Sequence, residues 1–146
     1  MEENNQVIIY SWTRFKVEIK SLVEKIGRGN FNFIVAVSRG GLIPATYLSR
    51  ALDIRQISVI ALQSYKGRNR GDIVEYKMPW LEEKEVPLDI QKKMLIVEDI
   101  VDSGKTLEYL RKKLPLAKVA SLVTKGRLDP DFFSSKENLW VRFPWE

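Results

Sequence analysis

The sequence predicts an α/β protein with a mostly parallel central sheet flanked by helices. Apolar runs of strand length alternate with helical patterns along the chain, which indicates parallel strands joined by crossover helices. The strands are expected at Phe31–Val37, Gln56–Leu62, Met94–Val97 and Val119–Val123. Glycine or charged residues follow most of these runs. Because ligands bind at the carboxyl ends of parallel strands, these loops are the candidate functional segments.

Helical spacing of apolar side chains predicts three helices, at Ser11–Ile26, at Ile43–Leu52 and from behind the strand Met94–Val97 to about Leu114. Gly27 is expected to end the first helix. Pro44 falls in the first turn of the second helix, where a missing N–H costs little.

Two segments break this alternation. Residues 64–87 are polar and charged, with one strand-like piece around Ile73–Met78, and the tail Phe132–Glu146 is rich in aromatic residues. We expect a single domain over residues 1–146, with a flexible lid or insert at about 64–90. The tail, from about residue 125 to 146, is expected to form a small hood together with other segments.

The composition limits the chemistry. The chain has no cysteine and no histidine, which excludes disulfides and leaves carboxylates to do acid–base work. Oxygen ligands favour a hard ion such as Mg²⁺. The net charge of +5 fits a polyanionic small substrate, and we expect no stable nucleic-acid partner. No apolar run approaches the roughly 20 residues of a membrane span, and the acidic, polar N-terminus is not expected to be a signal peptide. A cytoplasmic protein is expected.

The segment Met94–Thr106, MLIVEDIVDSGKT, is the most informative in the chain. An apolar strand leads into Glu98 and Asp99, and Asp102 opens a tight loop before a helix. A helix N-terminus offers unpaired N–H groups and a positive dipole end, so it suits a phosphate. The phosphate is expected to contact the backbone of Ser103, Gly104, Lys105 and Thr106 and the two hydroxyls among them. Glu98 and Asp99 would then face ribose hydroxyls or a metal bound to them. The alternative is an ordinary turn in which Asp102 or Ser103 caps the helix.

A second candidate loop, Ser38-Arg39-Gly40-Gly41, ends the first predicted buried strand. Glycine lets the backbone approach an anion closely, and Arg39 supplies a forked cation. Alone, this pattern also fits a glycine turn with a surface arginine.

A third candidate is Gln63-Ser64-Tyr65, which is followed by Lys66, Arg68 and Arg70. Such a segment could act as a mobile lid that closes over a polyanion and excludes water. The alternative is a solvated basic loop.

The segment MLIVEDIVDSGKT resembles the phosphoribosyl-pyrophosphate signature of the type I phosphoribosyltransferases. Within that family the chain is similar to the small bacterial and archaeal purine enzymes, in particular the xanthine-guanine type. The similarity extends to AVSRGGLIPA at Ala36–Ala45, to Gln63-Ser-Tyr65, to Val123-Thr-Lys125 and to the tail Leu139–Glu146, in the expected order. Only the segment from Lys66 to about Gln91 is hard to place.

The resemblance implies the type I phosphoribosyltransferase fold. It makes Ser38, Arg39 and Gly40 the pyrophosphate loop, with a non-proline cis peptide at Arg39–Gly40. Ser64 and Tyr65 would begin the flexible lid, and Asp99 would hold Mg²⁺.

The resemblance also assigns the purine side of the site. Asp102 would approach N7 of the base as general acid or base, a role that a carboxylate can fill when histidine is absent. Lys125 would donate to the 6-oxo group, Trp140 would stack on the ring, and backbone groups of Val141 would read its 2-position.

The implied activity converts a 6-oxopurine (guanine, xanthine or hypoxanthine) and phosphoribosyl pyrophosphate to a nucleoside 5′-monophosphate and pyrophosphate. The resemblance further implies a homodimer or homotetramer. Two alternatives are an RNA-binding regulator on the same fold and a transferase for a different base. The dispersed basic residues speak against the first alternative, and Lys125 with the Trp140 tail speaks against the second.

Overall fold

The computed structural model describes residues 6–64, 73–77 and 85–146 of the chain. The strands are β1 (Val7–Ile9), β2 (Phe33–Ser38), β3 (Gln56–Ser64), β4 (Ile73–Lys77), β5 (Met94–Val101), β6 (Lys118–Thr124), β7 (Phe132–Lys136) and β8 (Trp140–Arg142). The helices are α1 (Trp12–Ile26), α2 (Leu42–Ala51), α3 (Leu88–Gln91) and α4 (Lys105–Lys113). The alternation of strands and helices confirms the predicted fold class.

The central sheet has six strands in the order β4-β3-β2-β5-β6-β7. Neighbouring strands from β3 to β7 in this order are parallel, and β4 is antiparallel at one edge. From β2 the chain passes through α2 to β3 on one side, whereas from β5 it passes through α4 to β6 on the opposite side. This reversal opens a crevice at the carboxyl ends of β2 and β5, where α/β proteins commonly bind ligands.

Helices cover both faces of the sheet. Leu22 of α1 and Leu48 of α2 pack on one face with Leu95 of β5. Leu107 and Leu110 of α4 pack on the opposite face, in a core that also includes Ile96. Because both faces of the sheet are buried, its central strands are continuously apolar, and their positions can be predicted from the sequence.

The helices begin and end close to the predicted residues, and local chemistry explains the limits of α1. The Ser11 side chain accepts a hydrogen bond of 3.0 Å from the Arg14 N–H and caps the N-terminus. Gly27 follows the last turn with a φ of 73°, a conformation that favours glycine.

The small hood is a two-stranded parallel sheet formed by β1 and β8, and the sequence pattern predicts neither strand. Val7, Ile8 and Ile9 pair with Trp140, Val141 and Arg142 respectively. The N-terminal segment therefore pairs with the part of the tail that contains Trp140. Strands of three residues are too short to show a period of two in the sequence.

Among the described residues, no helix combines the length and apolarity needed to cross a membrane. The predicted strand-like piece at Ile73–Met78 is present as β4, with Met78 outside the described residues. Most of the predicted lid, including Tyr65, Lys66, Arg68 and Arg70, also lies outside them.

Candidate active site

Loops from β2, β5 and β6 meet at the carboxyl edge of the sheet, because these three strands are adjacent and parallel. Two contacts show how close the loops lie. The Gly40 backbone packs against the carboxylate of Asp99, and Lys125 Nζ lies 3.3 Å from Asp102 Oδ1. Residues from the loops that follow β2, β5 and β6 therefore share one site.

The two acids of the signature lie inside β5. The sequence pattern predicts that this strand ends at Val97, and this boundary is wrong. Glu98 remains in register with Ser121 of β6, and Ile100 with Val123, so the hydrogen-bonded ladder continues to Val101. Pairing with a neighbouring strand overrides the low strand propensity of the acids. Both carboxylates are consequently carried by rigid backbone.

Glu98 is buried to 8 % exposure, and its Oε2 has no hydrogen-bond partner among the described residues. Burial, and secondarily the charge of Asp99, raises the pKa of Glu98 from the usual 4.5 to about 8. The free protein therefore favours a protonated Glu98 at neutral pH. Oε2 is thus a buried polar atom without a partner in the described part of the chain, at the carboxyl-terminal part of β5.

The raised pKa of Glu98 makes stability depend on pH. Between pH 4.5 and about 8 the unfolded carboxyl is ionised while the folded one keeps its proton, so the free energy of unfolding falls as the pH rises. Glu98→Gln should remove this decline and stabilise the ligand-free protein above pH 8 by roughly a few kcal/mol. Because the chain lacks histidine, few other groups titrate in this range.

The measurement is urea unfolding of the wild type and the Glu98→Gln variant from pH 5 to 9, with Glu24→Gln, an exposed glutamate of α1, as the matched control. The control should keep the wild-type slope. An unchanged slope in Glu98→Gln would show that this carboxyl ionises freely in the folded protein.

Asp99 is held on several sides. Its Oδ1 accepts a hydrogen bond of 2.7 Å from the Ile100 N–H, and its Oδ2 accepts one of 3.4 Å from the Trp145 indole. Burial raises the pKa of Asp99 and nearby Glu146 adds to the increase, while both hydrogen bonds lower it. A Cβ on Gly40 would lie 2.2 Å from Oδ2, so a larger residue here would have to displace this carboxylate.

The loop at the end of β2 lies directly over the end of β5. A Cβ on Gly41 would be 2.2 Å from the Val97 carbonyl oxygen, which requires glycine here. Arg39 is exposed, and the Ser38 hydroxyl donates to the Ile60 carbonyl at 3.4 Å. The non-proline cis peptide joins Ser38 to Arg39 and not Arg39 to Gly40, so the expected position was wrong by one residue. The residues themselves carry no local signal for which peptide is cis.

Helix α4 begins at Lys105 without a side-chain cap. Gly104, with a φ of 88°, is the residue at the N-cap position. The alternative interpretation of this turn, in which Asp102 or Ser103 caps the helix, is therefore wrong. The Lys105 N–H donates to the Ser103 hydroxyl at 3.4 Å. Among the described residues, no hydrogen bond uses the N–H groups of Thr106 and Leu107. The helix N-terminus thus has free donors beside the acids of β5.

The candidate purine residues lie together beside this loop. Lys125 Nζ makes its 3.3 Å ion pair with Asp102 and lies 5.6 Å from the centroid of the Trp140 ring. The Lys125 side chain is only 15 % exposed, whereas Trp140 is 57 % exposed. Val141 is buried, and its backbone pairs with Ile8 in the hood. An ammonium, a carboxylate and an exposed indole are therefore grouped at one place.

The two aromatic residues that follow Trp140 in the tail occupy different positions. Phe143 is buried in the core, and Trp145 packs against Phe143 with ring centroids 4.9 Å apart. Neither is paired with Lys125, which leaves Trp140 as the tail aromatic next to that lysine.

Two contacts of the site are not predicted from the sequence. The ion pair between Asp102 and Lys125 joins residues that were predicted separately, and Trp145 had no assigned contact with Asp99. No pattern in the sequence marks either contact, because both join separate segments. Of the two lid residues, Ser64 ends β3, and Tyr65 is outside the described residues.

The acids of the site are compatible with Mg²⁺. Within residues 6–64, 73–77 and 85–146, no cluster of three or more acidic side chains could hold a metal ion by itself. Protein-bound Mg²⁺ commonly uses one or two carboxylates together with substrate phosphates. Asp99, with the unpartnered Oε2 of Glu98 next to it in sequence, fits this arrangement.

Comparison with known proteins agrees with these observations. The family described as the phosphoribosyl transferase domain matches residues 5–144. A xanthine-guanine phosphoribosyltransferase of Idiomarina loihiensis is 30 % identical, over 98 % of this chain and 89 % of the relative.

Solved structures agree as well. A purine phosphoribosyltransferase from Pyrococcus horikoshii superposes with a TM-score of 0.78 and 31 % identity, covering 96 % of this chain and 93 % of that protein. The xanthine-guanine-hypoxanthine phosphoribosyltransferase of Helicobacter pylori gives a TM-score of 0.76 and 28 % identity, and the match covers 97 % of this chain and 94 % of that protein. The predicted resemblance is confirmed.

Proposed function

The chain belongs to the phosphoribosyltransferase family, and from this premise we propose that it transfers ribose 5-phosphate to a 6-oxopurine. That the chain is a purine phosphoribosyltransferase follows from the family match and from the xanthine-guanine relative. The acceptors that we propose are guanine, xanthine and hypoxanthine, and the products are the nucleoside 5′-monophosphate and pyrophosphate.

One observation carries the choice of base: the grouping of Lys125 with Asp102 and Trp140. An ammonium has only donors, so Lys125 can bind the 6-oxo group of these purines but meets the amino group of adenine with an unfavourable donor–donor contact. The exposed face of Trp140 suits stacking on a flat ring. Backbone groups of Val141 are proposed to contact the 2-position.

In the proposed reaction the purine N9 attacks C1′ of the sugar, and the bond from C1′ to the pyrophosphate oxygen breaks. Asp102 accepts or returns the proton at N7, so that the base attacks without a net positive charge. The ammonium of Lys125, 3.3 Å from Asp102, balances the carboxylate and orients it. Catalysis is otherwise positioning of two substrates in one crevice.

We propose that the phosphoribosyl group binds to β5 and to the loops that follow β2 and β5. The 5′-phosphate is received by the loop Ser103–Thr106, where Gly104, Lys105 and Thr106 present backbone N–H groups. Glu98 and Asp99 face the ribose hydroxyls, and the loop Ser38–Gly40 with Arg39 receives pyrophosphate. Mg²⁺, held by Asp99, would neutralise charge on the departing pyrophosphate.

Several expectations stay predictions. They are the single domain over residues 1–146, the lid at Ser64 and Tyr65, the homodimeric or homotetrameric state, the cytoplasmic location and the lack of a stable nucleic-acid partner.

The test is turnover with phosphoribosyl pyrophosphate and Mg²⁺ against a panel of guanine, xanthine, hypoxanthine, adenine, uracil and orotate. We expect nucleotide formation with at least one 6-oxopurine and a kcat/KM for adenine lower by about 100-fold or more. Turnover restricted to adenine or a pyrimidine would support the transferase for a different base. No turnover at all, with salt-dependent binding to structured RNA, would support the regulator.

A further inference from the structure

We infer that Trp145 is a positioning residue that fixes the carboxylate of Asp99 for the sugar and its metal ion. Its indole nitrogen lies 3.4 Å from Asp99 Oδ2, which brings the tail of the chain to the carboxyl-terminal part of β5. This inference rests on the proposed function, which gives Asp99 its role.

Three neighbours define where the Asp99 carboxylate lies. The Ile100 N–H holds Oδ1 at 2.7 Å, and the Trp145 indole holds Oδ2. The Gly40 backbone closes a third side, because even a methyl group there would overlap Oδ2. The Ile100 contact comes from the backbone, and the Gly40 contact depends on the absence of a side chain at that position. Trp145 is therefore the side chain on which the orientation of Oδ2 depends.

Trp145 is itself held rigidly by aromatic packing. Its ring stacks on Phe143 at 4.9 Å with an angle of 11° between the planes. Phe15 of α1 meets it edge-on at 5.3 Å, and Trp12 lies 5.8 Å away. Because Phe15 and Phe143 are almost completely buried, the indole is anchored in the main core.

The same tail reaches both halves of the proposed site. Trp140 lies beside Lys125 on the base side, and Trp145 contacts Asp99 on the sugar side. Phe143, between them, packs against Tyr10 at 4.8 Å and fixes the tail to the segment after β1. A single short segment thus sets the positions of groups that act on two different substrates.

The consequence is preorganisation of Asp99. A carboxylate that is already oriented loses less conformational freedom when the sugar and Mg²⁺ bind. Loss of the indole N–H should therefore weaken Mg²⁺-dependent binding of phosphoribosyl pyrophosphate and leave purine recognition largely intact.

The test compares Trp145→Phe with Trp12→Phe. Phenylalanine keeps an aromatic ring in the cluster and removes the N–H. Trp12 belongs to the same cluster and makes no hydrogen bond among the described residues, so it is the matched control. Titration calorimetry would measure the Kd of phosphoribosyl pyrophosphate at several Mg²⁺ concentrations, and steady-state kinetics would measure both KM values.

For Trp145→Phe we expect the Kd and the KM of phosphoribosyl pyrophosphate to rise about five- to tenfold, with the KM of the purine changed less than about twofold. Trp12→Phe should match the wild type. Equal affinities in Trp145→Phe and wild type would overturn the inference. A wild type that fails to bind phosphoribosyl pyrophosphate with Mg²⁺ would instead overturn the proposed function.

Nuclear magnetic resonance of the intact wild type gives a second readout if Trp145→Phe folds poorly. The chain has four tryptophans, and the Trp145 indole N–H signal can be assigned by labelling and by the single substitutions of the other three. It should move on addition of phosphoribosyl pyrophosphate with Mg²⁺, whereas the Trp12 signal should stay in place. A Trp145 signal that does not respond to the bound substrate would contradict the inference.

Discussion

Replacing Asp102 by asparagine is expected to lower kcat by roughly a hundredfold or more, because a positioned acid or base contributes about 10²–10⁴-fold to a rate. Asparagine keeps the size of the side chain and removes its ability to take a proton from N7. The Kd of phosphoribosyl pyrophosphate should change little, since the proposed sugar contacts come from Glu98, Asp99 and the loop Ser103–Thr106. Single-turnover kinetics and calorimetry measure the two quantities separately.

The control for this substitution is Asp53→Asn. Asp53 has a φ of 54°, which asparagine tolerates, and its side chain is 77 % exposed. This variant should keep the wild-type kcat. If Asp102→Asn weakened substrate binding as much as it lowered kcat, Asp102 would be a binding residue and not the proposed acid–base group.

The substitution Lys125→Met is expected to reduce the preference for a 6-oxopurine over adenine by about 100-fold. Wild-type Lys125 gains a charge-assisted hydrogen bond with the 6-oxo group, worth about 1.5–3 kcal/mol, and opposes the amino group of adenine. Methionine retains much of the length but has no donor. The variant therefore loses both the hydrogen bond with the 6-oxo group and the unfavourable contact with the amino group of adenine. The measurement is the ratio of kcat/KM for guanine to kcat/KM for adenine.

Lys118→Met is the matched control, because Lys118 is an exposed lysine at the start of the same strand, β6. It should leave the ratio unchanged. Because Lys125 also pairs with Asp102, kcat should fall in Lys125→Met with either base, and only the ratio reports recognition. An unchanged ratio would remove Lys125 from the purine site.

The parts of the fold that the sequence predicts are those with a local periodic signal. Helices α1, α2 and α4 each bury one apolar face against the sheet, and the central strands are buried on both of their faces. Both kinds of burial give an apolar pattern that the sequence shows. The polar strand β7 and the three-residue strands β1 and β8 have no such pattern and form by pairing with distant segments. The extension of β5 through Glu98 and Asp99 has the same cause, since β6 supplies its hydrogen bonds.

The candidate site likewise has residues that the sequence predicts and contacts that it does not. The residues of Met94–Thr106 and Ser38–Gly41 are identifiable because each loop is continuous in sequence and its chemistry is local. Pairings across the sheet edge, such as Lys125 with Asp102 or Trp145 with Asp99, depend on how strands and tail are arranged in space. Only the folded chain brings these side chains together.

The most direct test of the central claim, that one crevice binds a ribose phosphate and a 6-oxopurine, is a crystal structure with guanosine 5′-monophosphate. The prediction places the phosphate on the N–H groups of Ser103–Thr106, the ribose hydroxyls toward Glu98 and Asp99, and the base over Trp140. The 6-oxo group should lie within hydrogen-bonding distance of Lys125 Nζ, and N7 near Asp102. A nucleotide bound away from the ends of β2 and β5, or with its base remote from Lys125 and Trp140, would contradict the claim.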